Sequence, residues 1–171
     1  VDILLESIPV WRLAETFPKQ APAGPTLLTT VFDITQVTLR PARHDDVAEL
    51  AEFIKPFVEE RRLLPRTIDE IEELIASGFV AEWEGRIVGF AALEIYSRKL
   101  AEIRSLAVCH ELHGRGIGKK LIEACVARAK EKHIFEVMAV TSNEGIFLSS
   151  GFDFTLPGEK KALFIQTRDE H

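Results

Sequence analysis

One stretch constrains this chain more than any other: His113-Gly114-Arg115-Gly116-Ile117-Gly118. It follows the strand-like Ile103-Arg104-Ser105-Leu106-Ala107-Val108. It opens a helix-like segment, Gly116 to Lys132, whose Leu121, Ile122, Cys125, Val126 and Ala129 recur at helical spacing. Glycines let a backbone come close to a ligand, and the first N–H groups of a helix have no partners inside it. With the helix dipole, such a turn is a cradle for phosphate oxygens. Charge points the same way. Leu112 to His133 carries six Lys/Arg against Glu123 and Glu131, in a chain of net charge −6. A glycine turn ringed by solvated lysines fits the same residues equally well. Two nucleotide loops fail on spacing. A Walker loop ending at Gly118-Lys119 would have His113 at its first glycine and Lys120 at its Ser/Thr. A Gly-x-Gly-x-x-Gly fingerprint started at Gly114 or Gly116 meets Lys119 or Leu121 at its last position.

The 171 residues suit one compact domain with an appendage, and 46% hydrophobic residues suffice for a core. A surplus of 27 Asp+Glu over 21 Lys+Arg leaves no overall field for nucleic acid or anionic lipid, so neither is expected as a partner. No apolar run approaches the roughly 18–20 residues that span a bilayer. Val1-Asp2-Ile3-Leu4-Leu5-Glu6 puts acids where a secretory signal carries positive charge. Cys109 and Cys125 show no Cys-x-x-Cys spacing. The expectation is a cytoplasmic protein with reduced thiols, its first residue Val pointing to processing, trimming or a cut from something longer.

Residues 1–36 read as an accessory segment or linker, broken by Pro9 and by Pro18, Pro22, Gly24 and Pro25, with a strand at Thr26 to Ile34. A second unit, 37–171, begins with a strand at Val37 to Arg40 closed by Pro41. A helix capped by Asp45 or Asp46 follows, with Val47, Leu50, Ile54, Phe57 and Val58 on one side and Pro56 kinking or breaking it. Thr67 and Glu70 have capping-box spacing for a helix that buries Ile68, Ile71, Leu74 and Ile75 and stops at Gly78. Phe79 to Trp83 and Ile87 to Tyr96 form a hairpin about Glu84-Gly85, followed by a strand at Ala101 to Cys109. After the long helix come a strand at Ile134 to Thr141 buried on both faces, a helix from Glu144 to Ser150 ended by Gly151, and a last strand at Ala162 to Thr167. The fold class is a mixed α/β sheet with helices on both faces.

The glycine segment resembles the acetyl-CoA loop of the GNAT superfamily of N-acetyltransferases, Gln/Arg-x-x-Gly-x-Gly/Ala, with His113 at the Gln/Arg position. The resemblance covers roughly Val37 to Arg168. Within the superfamily it is greatest to the acetyltransferase domain of N-acetylglutamate synthases, which act in arginine biosynthesis. The matching stretches are Leu39-Arg40-Pro41-Ala42, Leu63-Leu64-Pro65-Arg66-Thr67, Val88 to Leu93, Ala101 to Val108, Phe147 to Phe152, and the tail Leu156 to Leu163 with Gln166-Thr167-Arg168. The amino-acid-kinase domain of many such synthases is absent from this chain. The resemblance implies a mostly antiparallel sheet with one splayed strand pair. It also implies direct acetyl transfer from acetyl-CoA to an amino-acid α-amine, most simply that of L-glutamate, without a metal, and a homodimer.

The same resemblance distributes roles. Backbone groups of Leu106, Ala107 and Val108, with His113, Gly114, Arg115, Gly116, Ile117, Gly118, Lys119 and Phe147, are expected at the cofactor. Glu102 is the expected base, directly or through water, because the attacking amine must lose a proton. A solvated carboxylate or a partner for Arg104 is the competing reading of Glu102. Phe147 stands where many GNAT enzymes have a tyrosine acid, and the one tyrosine, Tyr96, lies far off in sequence. Water, Thr141 or Ser142 is expected to serve instead. Arg66, Arg104 and Arg168, helped by Lys160 or Lys161, are expected on the substrate carboxylates, since a guanidinium matches each with its planar fork. Any single arginine is otherwise a surface charge. His110 and His113 lack a third metal ligand at sensible spacing, and Cys109 and Cys125 read as small core residues. Two alternatives remain: transfer to another small amine or a peptide N-terminus, and a non-catalytic acetyl-CoA-binding module.

Overall fold

The computed structural model describes residues 34–154. The accessory segment up to residue 33, the last strand at 162–167, Lys160, Lys161 and Arg168 lie outside the described residues. Among the described residues, five strands form one sheet in chain order: β1 (Thr38–Pro41), β2 (Gly78–Trp83), β3 (Arg86–Ser97), β4 (Leu100–Val108) and β5 (Glu136–Met138). The first three pairings are antiparallel, and β5 runs parallel to β4. Hairpins join β2 to β3 and β3 to β4. The β4–β5 crossover contains the long helix, as a parallel connection requires.

Among the described residues, four α-helices accompany the sheet: α1 (Val47–Glu59), α2 (Ile68–Ile75), α3 (Ile117–Glu131) and α4 (Glu144–Leu148). Side chains alternate along a strand, so each face meets a different set. Val80, Phe90 and Ala92 join Val47, Leu50, Ile54, Ile71 and Leu74 in one core beneath α1 and α2. On the opposite face α3 closes over Gly89. A Cβ there would stand 3.1 Å from Leu121 Cδ1 and 3.3 Å from Ile117 Cγ2. Phe79 continues this face under the Arg128 guanidinium, which lies 5.0 Å from its ring centroid. Leu50, Ile71, Leu121 and Ile122 are fully buried, each worth about 1.5–3 kcal/mol of transfer free energy.

Several expectations are met with small changes of boundary. Thr67 Oγ1 accepts from the Glu70 N–H at 3.2 Å, while Glu70 accepts from the Thr67 N–H at 2.8 Å, so the capping box is complete. Glu84 and Gly85 both have left-handed φ, +50° and +73°, as a two-residue hairpin turn of the right twist needs. Other expectations need correction. Helix α1 runs past Pro56 to Glu59: the proline lacks only its own N–H, and its carbonyl still accepts from the Glu60 N–H at 3.0 Å, closing the last turn. Asp46 does not cap α1 through its side chain. Its carboxylate instead accepts two bonds from Arg40, at 2.7 and 2.8 Å, and one from the Arg43 N–H. Ile68, in the first turn of α2, is half exposed, and Ile75 and Val58 are half-buried. Gly78 is the first residue of β2 and not a left-handed cap; a Cβ there would lie 3.0 Å from the Leu74 carbonyl and from the Phe90 ring. The strand expected at 134–141 shrinks to Glu136–Met138, and Phe135 and Val140 are exposed. It is not buried on both faces, because it pairs only with the first three residues of β4.

Candidate active site

The departure of β5 from β4 makes the site. Their register holds for Leu100, Ala101 and Glu102 and then stops, while β4 continues to Val108. A bulge adds to the opening. Ala92 faces Arg104 and Phe90 faces Ala107, so Ser105 and Leu106 together oppose Ala91, with Ser105 at φ +57°. Between the far half of β4 and the segment Val140 to Ile146 lies a cleft of about 1120 Å³. Beyond Glu102 no described strand pairs with this side of β4, which leaves it for a ligand.

The glycine turn forms one end of this cleft. Gly114 and Gly116 have φ of +73° and +81°, and a Cβ on either would meet nothing within 4 Å. Their need for glycine is therefore conformational. Gly116 is the N-cap of α3 and offers no side-chain acceptor to the first N–H groups, which stay available to an anion. Gly118 has a second duty. A Cβ there would fall 2.6 Å from Ile146 Cδ1, so its bareness lets α4 approach α3. The cleft is lined by Leu106, Ala107, Val108, His113, Gly114, Gly116, Ile117, Gly118, Lys119 and Phe147, all expected at the cofactor; Arg115 is not in this lining. His113 Nε2 lies 2.8 Å from the Val108 carbonyl oxygen, so this ring nitrogen donates and ties the turn to the end of β4. Phe147 is buried and packs edge-on against Phe152 at 5.3 Å.

Glu102, Thr141 and Ser142 also line the cleft. Glu102 is half-buried, and its Oε2 accepts a hydrogen bond of 2.5 Å from the Tyr96 hydroxyl. Burial, then the Glu102 carboxylate, pushes the Tyr96 phenol up to about 12. Although far from Phe147 in sequence, Tyr96 lines the same cleft. Hairpin pairing of Glu94 with Glu102 and of Ile95 with Ala101, with a bulge before Ser97, brings Tyr96 beside Glu102. Arg104 does not pair with Glu102; its guanidinium bonds the Glu94 carboxylate. Burial works against the Arg104 charge, but Glu94, helped by Glu102, outweighs it and raises the pKa. Thr141 Oγ1 accepts from the Asn143 N–H at 3.0 Å, fixing the turn into α4.

Arg66 reaches the same cleft from the start of α2, its side chain 13% exposed. One of its terminal nitrogens is 3.5 Å from Glu70, whereas Nε is buried with no hydrogen-bond partner. Phe57, Arg62, Leu63 and Leu64, none of them expected as site residues, also line the cleft. Among the described residues no group of three or more His, Cys, Asp and Glu could hold a metal ion, and no helix is long and apolar enough to cross a membrane. Cys125 is buried and its thiol is pushed up to about 12 by desolvation, the state of a core thiol and not of a nucleophile.

The comparisons with known proteins name the class to which this arrangement of strand, bulge, glycine turn and helix belongs. Residues 44–146 match the acetyltransferase (GNAT) family, and the chain belongs to that family. It is 37% identical over 114 residues to an uncharacterized N-acetyltransferase of Chlorobaculum tepidum, covering 67% of this chain and 74% of that protein. It is 32% identical over 132 residues to the amino-acid acetyltransferase of Ralstonia nicotianae, covering 74% of this chain. The chain spans only 29% of that longer relative. Among solved structures it resembles N-acetylglutamate synthase from Neisseria gonorrhoeae complexed with coenzyme A and N-acetyl-glutamate. The TM-score is 0.61 and the identity 28%, over 67% of this chain and 27% of that one.

Proposed function

We propose that the protein transfers acetyl from acetyl-CoA to the α-amine of an amino acid, and that the amino acid is L-glutamate. One observation carries the reading: a single cleft brings the glycine turn, the unpaired side of β4, Glu102 and Arg66 together. The residues fit the cosubstrate. The uncapped N-terminus of α3 and Lys119 suit the pyrophosphate oxygens. The side of β4 left by β5 suits the amide groups of the pantetheine arm. Residues 37–171 would form the transferase domain and 1–36 an accessory segment.

Holding both substrates in one cleft turns a bimolecular encounter into an oriented one. In this account Glu102 takes a proton from the ammonium of the acceptor, directly or through water, and the free amine attacks the thioester carbonyl. Backbone N–H groups of Leu106 to Val108 stabilise the developing oxyanion. As the C–S bond breaks, the nitrogen of the tetrahedral intermediate loses its second proton, and that proton reaches the departing thiolate by way of water or the hydroxyl of Thr141 or Ser142, so no alkoxide is left behind. Arg66 binds a substrate carboxylate: its buried, partnerless Nε has a donor to offer, and an anionic acceptor satisfies it. Lys160 and Arg168, by resemblance, assist.

Replacing Arg66 with Ala tests the acceptor. The KM for glutamate should rise about 10- to 100-fold, the worth of one charge-assisted contact. The acetyl-CoA KM should stay within a factor of about two. An equal rise for every amine tested would argue against a carboxylate contact at Arg66.

A further inference from the structure

We infer that Glu94 and Tyr96 are positioning residues for Glu102: Glu94 holds Arg104 away from the Glu102 carboxylate, and Tyr96 fixes that carboxylate's orientation in the cleft. The inference rests on the assignment of Glu102 as the base. It follows from the register of the β3–β4 hairpin. Glu94 and Glu102 are direct cross-strand partners, so two carboxylates stand opposite each other on one face. Like charges so placed repel. Arg104, two residues on from Glu102, shares that face, while Tyr96 is the extra residue of a bulge between Ile95 and Ser97, and its hydroxyl reaches Glu102.

Two diagonal bonds resolve the conflict. The Arg104 guanidinium bonds Glu94, and the Tyr96 hydroxyl bonds Glu102 at 2.5 Å. The alternative pairing, Arg104 with Glu102, would be a charge-assisted bond between neighbours on the strand face. It would hold the base carboxylate on a permanent cation and lower its power to accept a proton. The arrangement found instead spends the cation on Glu94, which does not line the cleft, and gives Glu102 a neutral partner. A phenol whose own proton leaves only near pH 12 remains a donor throughout the working range. One Glu102 oxygen is thereby occupied, and the other is left for the amine or its water.

A mutant cycle tests this. Glu94→Gln and Tyr96→Phe are each made in the parent and in the Glu102→Gln background, and thiol release is followed with the most active amine. In the parent background each should lower kcat about 10-fold, part of the loss typical for a general base. The acetyl-CoA KM should stay within about twofold and the thermal midpoint should hold. The acid limb of kcat/KM against pH should also change shape in Tyr96→Phe. In the Glu102→Gln background neither substitution should have a further effect, because residues acting through one group are not additive. Glu94→Asp, which keeps a carboxylate for Arg104, should recover part of the Glu94→Gln loss. Equal losses in both backgrounds, or no loss in the parent, would overturn the positioning role while leaving Glu102 as base. A Glu102→Gln protein as fast as the parent would remove the base assignment, and the positioning role with it.

Discussion

At the scale of single residues, Gly116 shows how conformation and chemistry converge. Its φ of +81° is a region that other residues enter only with strain, and the space a side chain would fill opens on the cleft. Gly116→Asp adds strain, bulk and a negative charge where phosphate oxygens are expected. Acetyl-CoA affinity, measured by calorimetry, should fall at least about 100-fold, since each lost charge-assisted contact is worth about 1.5–3 kcal/mol. Unchanged affinity would take the turn out of the cofactor site. The glycine motif was legible in sequence because backbone demand and residue type coincide there. Tyr96 was not legible as a site residue, since its approach to Glu102 depends on the register of a hairpin and not on spacing in a motif. The Ser105 bulge was invisible for a related reason. Serine carries no strong preference for φ +57°, so only the pairing of β3 with β4 reveals it.

At the scale of elements, the junction of β1 with α1 hangs on one ion pair. Arg40 bonds both oxygens of the buried Asp46 and also reaches Glu82 on β2 at 2.9 Å. The Arg40 guanidinium and the Arg43 N–H hold the Asp46 carboxyl below its ordinary value, against the opposing effect of burial. Asp46 therefore adds stability that is complete above about pH 4, the unfolded value, and is lost as pH falls through the depressed folded value. Arg40→Met strands a buried carboxylate and should cost about 3 kcal/mol at pH 7 in urea unfolding. Its stability should also fall less steeply than the parent's below pH 4. A loss under about 0.5 kcal/mol would mean that the junction is held by packing alone. Element types were largely evident from periodicity and caps, as in α2 with its Thr67–Glu70 box. The exposure of Ile68 and the shortness of β5 were not, because the reach of each neighbouring element decides them, and a local pattern cannot report it.

At the scale of the whole molecule, the sheet works by coming apart in one place. Among the described residues, four antiparallel strands carry α1, α2 and α3, and the parting of β4 from β5 leaves the far half of β4 open beside the cleft. Family membership follows from this architecture together with the match over residues 44–146. In the proposed reading the acceptor is set by side chains of the cleft, Arg66 and Glu102 among them, and not by the sheet that carries them. The direct test is thiol release from acetyl-CoA with L-glutamate set against L-aspartate, L-glutamine, L-alanine and simple amines. Selective release with glutamate, at least about 100-fold in kcat/KM over glutamine, is the result this account predicts, since loss of one carboxylate should cost about 2–3 kcal/mol. Bound acetyl-CoA with no release on any amine would contradict it and make the cleft that of a binding module.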